Sequence, residues 1–168
     1  MMKSHDCDIM GQPMTQKPTI ILGIDPGYDR VGWAVISRTA AKSNYLASGL
    51  IQTQASDEIF IRYHQIWQQL TQIISLYLPT TCHLESLFFA RNQKTALRVS
   101  EARGLIIANL ITHQVKVKEF TPLQAKLAVT GYGQADKTAV AKMVHLQLKL
   151  PHLVMKDDEL DALALCLC

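Results

Sequence analysis

The stretch "IILGIDPGYDRVGWAVI", residues 20–36, decides the fold of this chain. Residues 19–25 are an apolar run typical of a strand that is buried on both faces. Pro26 and Gly27 favour a turn, and residues 31–38 predict a second strand, so the two strands form a hairpin. One residue does not fit a purely structural strand, because Asp25 closes the apolar run with a carboxylate.

The remaining sequence predicts three antiparallel strands followed by alternating helices and strands. Residues 45–53 predict the third strand of a meander. Changes in apolar spacing predict a short strand within 81–89 that ends at Glu85 and runs into a loop, and a further strand over 115–121. They also predict helices over 57–78, 94–112, 122–130, 136–150 and from 157 to the last residue. The order βββ-α-β-α-β-α-α-α predicts an α/β fold, with a mixed five-stranded sheet (three antiparallel strands, then parallel ones) flanked by helices. The helix over 94–112 has two open interpretations, a central core helix or a dimer face, with Gly104 permitting close helix approach.

Composition bounds the class of protein. The chain has 168 residues, 48% of them hydrophobic, and a formal net charge of +3, which indicates one globular domain and is compatible with a polyanionic partner. Residues 1–18 are polar and are expected to be a disordered leader before a domain over 19–168. No apolar run reaches the ~20 residues of a membrane helix, so a cytoplasmic location is expected. The four cysteines form no C-x-x-C pair and are expected to be free thiols: Cys7, Cys82, Cys166 and Cys168.

Four acids occupy positions at the ends of predicted elements. Asp25 and Glu85 lie at strand ends, whereas Asp158 and Asp161 share one face of the first turn of the last helix. Such positions can meet at one rim of a sheet, where oxygen-only ligands suit Mg²⁺ or Mn²⁺ and two ions can clamp an in-line displacement at phosphorus. Each acid also has a plain interpretation as a turn residue, a solvated strand end or a complement to the helix dipole. The set is more specific than its members.

Four blocks of sequence carry a family resemblance: "ILGIDPG" with "GWAVI", "LESLFFARNQKTALRVSEARG", "EFTPLQAKLAVTGYGQADKTAVAKMV" and "DELDALALC". Over residues 19–168 the chain resembles the RuvC family of bacterial Holliday-junction resolvases, in the RNase H-like superfamily. The resemblance implies an RNase H-like nuclease that is dimeric and Mg²⁺-dependent, and that cuts two opposed strands of a four-way DNA junction in recombination and repair. It implies two Mg²⁺ ions per active site, with Mn²⁺ able to substitute. The catalytic, metal-binding residues that it implies are Asp25, Glu85, Asp158 and Asp161.

The resemblance and the local chemistry also indicate DNA contacts. The resemblance places Phe88 at the junction crossover and Lys126 and Lys137 on the DNA backbone. Arg91 and Lys94 flank the aromatic segment, and cations beside an aromatic side chain suit insertion into unstacked bases. The plain alternatives are a core position for Phe88 and a solvated helix face for the lysines. The expected partners are four-way junction DNA and a second copy of the chain, with the RuvAB branch-migration complex as a further candidate.

Three other functions are compatible with parts of the sequence. An RNase H-like nuclease acting on RNA or RNA/DNA hybrid would use the same acids. An actin-like sugar kinase or chaperone ATPase also has a "DPG" turn, but it needs a duplicated domain that a chain of 168 residues lacks. A catalytically inactive DNA-binding paralogue would not need the complete set of acids.

Overall fold

The computed structural model describes residues 17–86, 93–150 and 155–168, with the backbone alone at 93–95. Most of the predicted leader, together with Phe88 and Arg91, lies outside the described residues, as does the side chain of Lys94. The ten elements occur in the order predicted from the sequence. They are β1 (Thr19–Asp25), β2 (Arg30–Arg38), β3 (Ser43–Gln52), α1 (Ile59–Tyr77), β4 (Thr81–Glu85), α2 (Gln93–Thr112), β5 (Lys116–Phe120), α3 (Pro122–Thr130), α4 (Lys137–Leu148) and α5 (Asp157–Cys166).

The five strands form one mixed sheet in the order β3-β2-β1-β4-β5. Strand β2 is antiparallel to β1 and β3. The pairs β1–β4 and β4–β5 are parallel. This architecture confirms the predicted α/β fold with three antiparallel strands followed by parallel ones.

The fourth strand ends at Glu85, as predicted, and Ser86 is not in a strand. The neighbouring strands β1 and β5 end at Asp25 and Phe120, so that neither can pair with a longer β4. Residues 87–89 lie outside the described part of the chain. The other element boundaries agree with the prediction to within two residues.

Strand β1 is buried on both faces, as predicted. Leu22 and Ile24 are fully buried in a core that α1 and α2 cover, whereas Ile21 packs in a second core with α5. Alternation of side chains along a strand therefore directs Ile21, Gly23 and Asp25 towards α5. The direction of Asp25 is thus a consequence of the hydrophobic pattern that precedes it.

Helix α2 combines a buried face and an exposed face. Ala102, Ile106 and Leu110 are fully buried, which makes α2 a core helix. Gly104 lies on the exposed face, and a Cβ added there meets nothing within 4 Å, so a close helix approach at Gly104 stays a prediction for a partner helix. The other face of α2 is therefore available to a partner.

Two further findings concern thiols and membranes. Cys82, Cys166 and Cys168 are free thiols, as expected, and Cys7 lies outside the described residues. In the ranges 17–86, 93–150 and 155–168, no helix has the length and apolarity needed to cross a lipid bilayer.

Candidate active site

Two of the four predicted acids end neighbouring parallel strands. Ile24 of β1 pairs with Leu84 of β4, so Asp25 and Glu85, one residue further along, finish side by side at the carboxyl edge of the sheet. Glu85 faces the α5 side as Asp25 does, because His83, two residues earlier, donates from Nδ1 to the carbonyl oxygen of Leu165 in α5 at 2.9 Å. Both carboxylates therefore face the helix that carries the other two acids.

Two glycines let α5 lie directly on the strands. Gly32, which pairs with Asp25, would place a Cβ only 2.1 Å from the carbonyl oxygen of Asp158. A Cβ at Gly23 would lie 2.1 Å from the carbonyl oxygen of Ala162. Real Cβ atoms do not approach backbone this closely, so any larger residue would push α5 away. The missing side chains thus bring the first turn of α5 against the strand acids.

Two arginines at the ends of β2 fix α5 along its axis. Arg38, the last residue of β2, donates to the carbonyl oxygens of Cys166 and Cys168 at the end of α5, where carbonyl groups lack helical partners. Arg30, the first residue of β2, lies with Nε 3.4 Å from Oδ2 of Asp158 at the start of α5. The helix is therefore tied to the same strand at both ends.

The turn after Asp25 has its own support. Arg62 of α1 is buried and donates to the carbonyl oxygen of Tyr28 at 3.1 Å and to the hydroxyl of Thr53 at 2.9 Å. Its guanidinium also forms an ion pair with Asp29 and lies over the ring of Tyr28. The turn is therefore held by α1, independently of α5.

The acids influence one another electrostatically. Burial, together with the negative charges of Glu85, Asp161 and Asp158, raises the pKa of Asp25 to about 8. Burial, with the charge of Asp161, raises the pKa of Glu85 to about 7. The pKa of Asp161 is also raised by burial, against the opposing effect of Lys137. The site therefore holds negative charge at a cost that a nearby cation would remove.

The acids share one edge but do not form a preformed metal cage. Among the residues that the structure describes, no three His, Cys, Asp or Glu side chains come close enough together to enclose an ion. The donor chemistry nevertheless fits a hard divalent cation, because all four candidate donors are carboxylates, and desolvation and like charge raise the pKa of Asp25 and Glu85.

Two lysines of helices α3 and α4 lie beside the acids. Lys137, at the start of α4, lies with Nζ 3.0 Å from Oδ2 of Asp157 and also lowers the pKa of Asp25 and Asp161. Lys126 of α3 lowers the pKa of Asp161 as well. Both lysines line a cavity of about 180 Å³ with Glu85 and Asp161. The predicted backbone-binding lysines thus lie beside the predicted catalytic acids.

Comparison with known proteins assigns the family. A family model described as crossover junction endodeoxyribonuclease RuvC matches residues 21–168. The chain belongs to the RuvC family. Its curated relatives include the RuvC proteins of Caldicellulosiruptor saccharolyticus (42% identical, 88% of this chain and 90% of the relative) and Thermosipho melanesiensis (40% identical, 88% and 94%). Both carry the name crossover junction endodeoxyribonuclease.

A solved structure of the RuvC family supports the same assignment. The structure described as Thermus thermophilus RuvC in complex with a Holliday junction substrate matches with a TM-score of 0.83 and 29% identity, over 89% of this chain and 91% of that one. A second Thermus thermophilus RuvC structure matches with a TM-score of 0.80 and 28% identity, over 89% and 92%.

Sequence reasoning missed several residues of this RuvC-family site. Arg30 had a detectable signal, because it follows Asp25 by five positions across a turn whose hairpin returns it to the same edge. Gly32 was detectable from the same hairpin register. Arg38 was not, because its bonds to Cys166 and Cys168 join the start and the end of the chain.

Proposed function

We propose that this RuvC-family chain is a structure-selective endonuclease that resolves four-way (Holliday) DNA junctions by paired cuts in opposed strands, in homologous recombination and repair. The observation that carries the proposal is one edge of the sheet where two strand acids face two helix acids beside two lysines. The family membership and the junction-bound Thermus thermophilus relative support the choice of substrate.

The proposed catalytic residues are Asp25, Glu85, Asp158 and Asp161, and the proposed cofactor is Mg²⁺, two ions per active site, with Mn²⁺ as a substitute. An oxygen-only donor set supports this choice of metal, and within it the pKa values of Asp25 and Glu85 are raised. When bound, the ions would neutralise the charge that develops on the phosphate and activate water.

The chain's own residues position the reaction. Asp25 and Glu85 are fixed by the sheet, so their carboxylates keep one spacing throughout the reaction. Lys126 and Lys137 are proposed to hold the phosphates of the cut strand, since both border the cavity beside Glu85. Water attacks phosphorus in line, its oxygen bonds to phosphorus, and the bond to the 3′ oxygen breaks and that oxygen takes a proton. The products carry 5′-phosphate and 3′-hydroxyl ends.

The chain is proposed to act as a homodimer through α2. The exposed face of α2 follows the helical spacing of a packing surface, with Leu97 59% and Ile111 63% exposed. Two small residues, Gly104 and Ala108, lie between them and would let a second helix approach. A two-fold dimer suits a junction that has two strands to cut. Leu97→Glu with Ile111→Glu should give a monomer by size-exclusion chromatography and light scattering, and an unchanged dimer would contradict this face.

Some contacts remain predictions from the sequence. Phe88 is proposed as a wedge at the junction crossover, and Arg91 and Lys94 are proposed to contact phosphates. The side chains of all three lie outside the described residues. Phe88→Ala should impair junction distortion and turnover more than affinity for plain duplex. A proportionate loss on duplex would count against the wedge. Assembly with the RuvAB branch-migration complex is likewise proposed from the family alone.

The decisive experiment is cleavage of a synthetic four-way junction with and without Mg²⁺. A linear duplex of the same sequence and an RNA/DNA hybrid serve as controls. We expect Mg²⁺-dependent, symmetrically paired nicks in the junction that ligase can reseal, and little cleavage of either control. Preferential cleavage of the hybrid would instead support the alternative RNase H-like nuclease. Binding without any cleavage would support an inactive paralogue.

A further inference from the structure

Arg30 lies at the same edge of the sheet as the four acids, and no function has been assigned to it above. It is the first residue of β2, and the hairpin register that pairs Asp25 with Gly32 returns it to the edge where β1 ends. Its Nε lies 3.4 Å from Oδ2 of Asp158. The Arg30 side chain is 56% exposed, so the guanidinium can reach solvent as well as the carboxylate.

We propose that Arg30 is a phosphate-binding residue, held on Asp158 in the metal-free protein and released to the DNA backbone when a metal ion takes that carboxylate. The inference rests on the proposed function, since it assigns a further contact to the same nucleic-acid site. It adds a cation to the side of the acids that the predicted lysines do not cover.

The ion pair has the properties of an exchangeable contact. Solvent-exposed ion pairs contribute little net stability, so a divalent ion can displace Arg30 from Asp158 at small cost. The planar guanidinium then matches the oxygens of a phosphodiester, to which it can donate two parallel hydrogen bonds. Arg30 therefore competes with the metal ion for Asp158 before DNA binds, and it binds the DNA phosphate after the metal has displaced it.

The sheet order places Arg30 opposite the lysines. Strand β2 flanks β1 on one side and β4 flanks it on the other. Lys126 and Lys137 border the cavity next to Glu85, on the β4 side. A phosphodiester above Asp25 would thus have cations on both sides, and Arg30 is the one from the β2 side.

A purely structural role for Arg30 makes the opposite prediction. If Arg30 only fixed the start of α5, removing it would loosen Asp158 and weaken metal binding. The turn before Arg30 is already held by Arg62, and the far end of α5 is held by Arg38. Removing a competing cation from Asp158 should instead strengthen metal binding, so the sign of the change separates the two roles.

The test compares Arg30→Gln and Arg30→Lys with Lys42→Gln, which removes the same charge from an exposed position at the opposite end of β2. Calorimetric titration of DNA-free protein with Mg²⁺ should show roughly 2- to 5-fold tighter binding for Arg30→Gln. With Mg²⁺ present, binding of a four-way junction that carries non-hydrolysable linkages should weaken roughly 3- to 10-fold, with the salt slope reduced by about 1, whereas binding without metal should change little. Arg30→Lys should stay close to the wild type, and Lys42→Gln should change neither quantity.

Unchanged or weaker Mg²⁺ binding by Arg30→Gln, or junction binding equal to that of Lys42→Gln, would overturn the inference. A second variant guards against altered folding: Asp158→Asn should raise metal-free junction affinity more in the wild-type background than in Arg30→Gln, and equal gains would also overturn it. If wild-type protein shows no preference for the junction over duplex, the proposed function fails before Arg30 is tested. If that preference is present and the Arg30 effects are absent, this inference alone fails.

Discussion

The strand-borne acids and the helix-borne acids are supported in different ways. Asp25 and Glu85 end parallel strands that are hydrogen-bonded to each other, and burial raises both pKa values. Asp158 and Asp161 lie on a single helix turn, where Arg30 pairs with Asp158 and Lys137 opposes the burial that raises the pKa of Asp161. The strand pair is therefore held by the sheet with strongly raised pKa values, whereas a cation acts on each member of the helix pair.

This difference indicates that the strand acids and the helix acids should respond differently to mutation. In the proposed site, the strand acids would provide the negative potential that attracts a cation, and the sheet fixes their backbone positions. The helix acids depend on how α5 is seated, through Gly23, Gly32 and the two arginines of β2. A change at the strands should therefore alter charge with little movement, and a change beneath α5 should alter geometry with little change of charge.

The largest expected effect is the loss of a strand carboxylate. Asp25→Asn should lower junction cleavage by about three orders of magnitude or more, because the charge at the centre of the acid set is removed. Junction binding should stay within a few-fold, since the lysines are unchanged. Single-turnover cleavage and gel-shift measurements test both. Asp157→Asn, which changes another acid of the first turn of α5, is the matched control and should retain cleavage; near-normal cleavage by Asp25→Asn would refute the assignment.

The second-largest expected effect comes from the close contact between Gly32 and the first turn of α5. Gly32→Ala should displace the first turn of α5, since the new Cβ would lie 2.1 Å from the carbonyl oxygen of Asp158. A misplacement of about 1 Å can cost roughly 100-fold, so cleavage should fall roughly 10- to 100-fold. Gly131→Ala, at a left-handed helix end with φ 74°, should lose about 1 kcal/mol of stability yet retain cleavage. Equal activity of the two variants would show that the close contact at Gly32 does not position Asp158.

The buried charge of Asp25 should also make the stability of the metal-free protein depend on pH. Because the pKa of Asp25 rises from 3.8 in an unfolded chain to about 8 in the folded one, the folded state binds more protons. Stability of the metal-free protein should therefore fall as the pH rises from about 4 to 8. Asp25→Asn should remove much of this loss and raise Tm at pH 8 by about 4–8 °C, which corresponds to about 2 kcal/mol. A Tm that is independent of pH in this range, in the absence of metal, would contradict the burial of charge.

The smallest expected effect concerns the cations around the helix acids. Lys137→Gln should weaken junction binding roughly 3- to 10-fold and reduce the salt slope by about 1. Asp157→Asn should have the opposite sign, because it frees Lys137 from its 3.0 Å ion pair. Fluorescence anisotropy over a range of salt concentrations measures both. Changes of the same sign in the two variants would mean that Lys137 does not contact DNA.

Much of this fold follows from local sequence patterns. The apolar alternation of β1, the turn at Pro26 and Gly27, and the helical spacing that ends before Pro79 were sufficient for the order of the elements. The four acids were identifiable because each closes or opens an element. Their common orientation could be inferred as well, since the period of two in a strand places Asp25 on the face of Ile21.

The supports of the site depend on long-range contacts that local patterns do not contain. The bonds of Arg38 to the end of α5 join residues more than a hundred positions apart. The exposure of Gly104 likewise depends on which face of α2 meets the sheet, and its neighbours in the sequence do not determine that face.

The most direct test of the central claim, that four acids form one metal site, is an anomalous difference map from a crystal soaked in Mn²⁺. We predict a Mn²⁺ ion at the carboxyl edge of β1 and β4, bound by Asp25 and Glu85, with Asp158 or Asp161 of α5 turned towards it. Asp25→Asn crystals treated in the same way should lose that ion. An absence of Mn²⁺ at this edge, under conditions in which the wild-type protein cleaves a junction, would contradict the account.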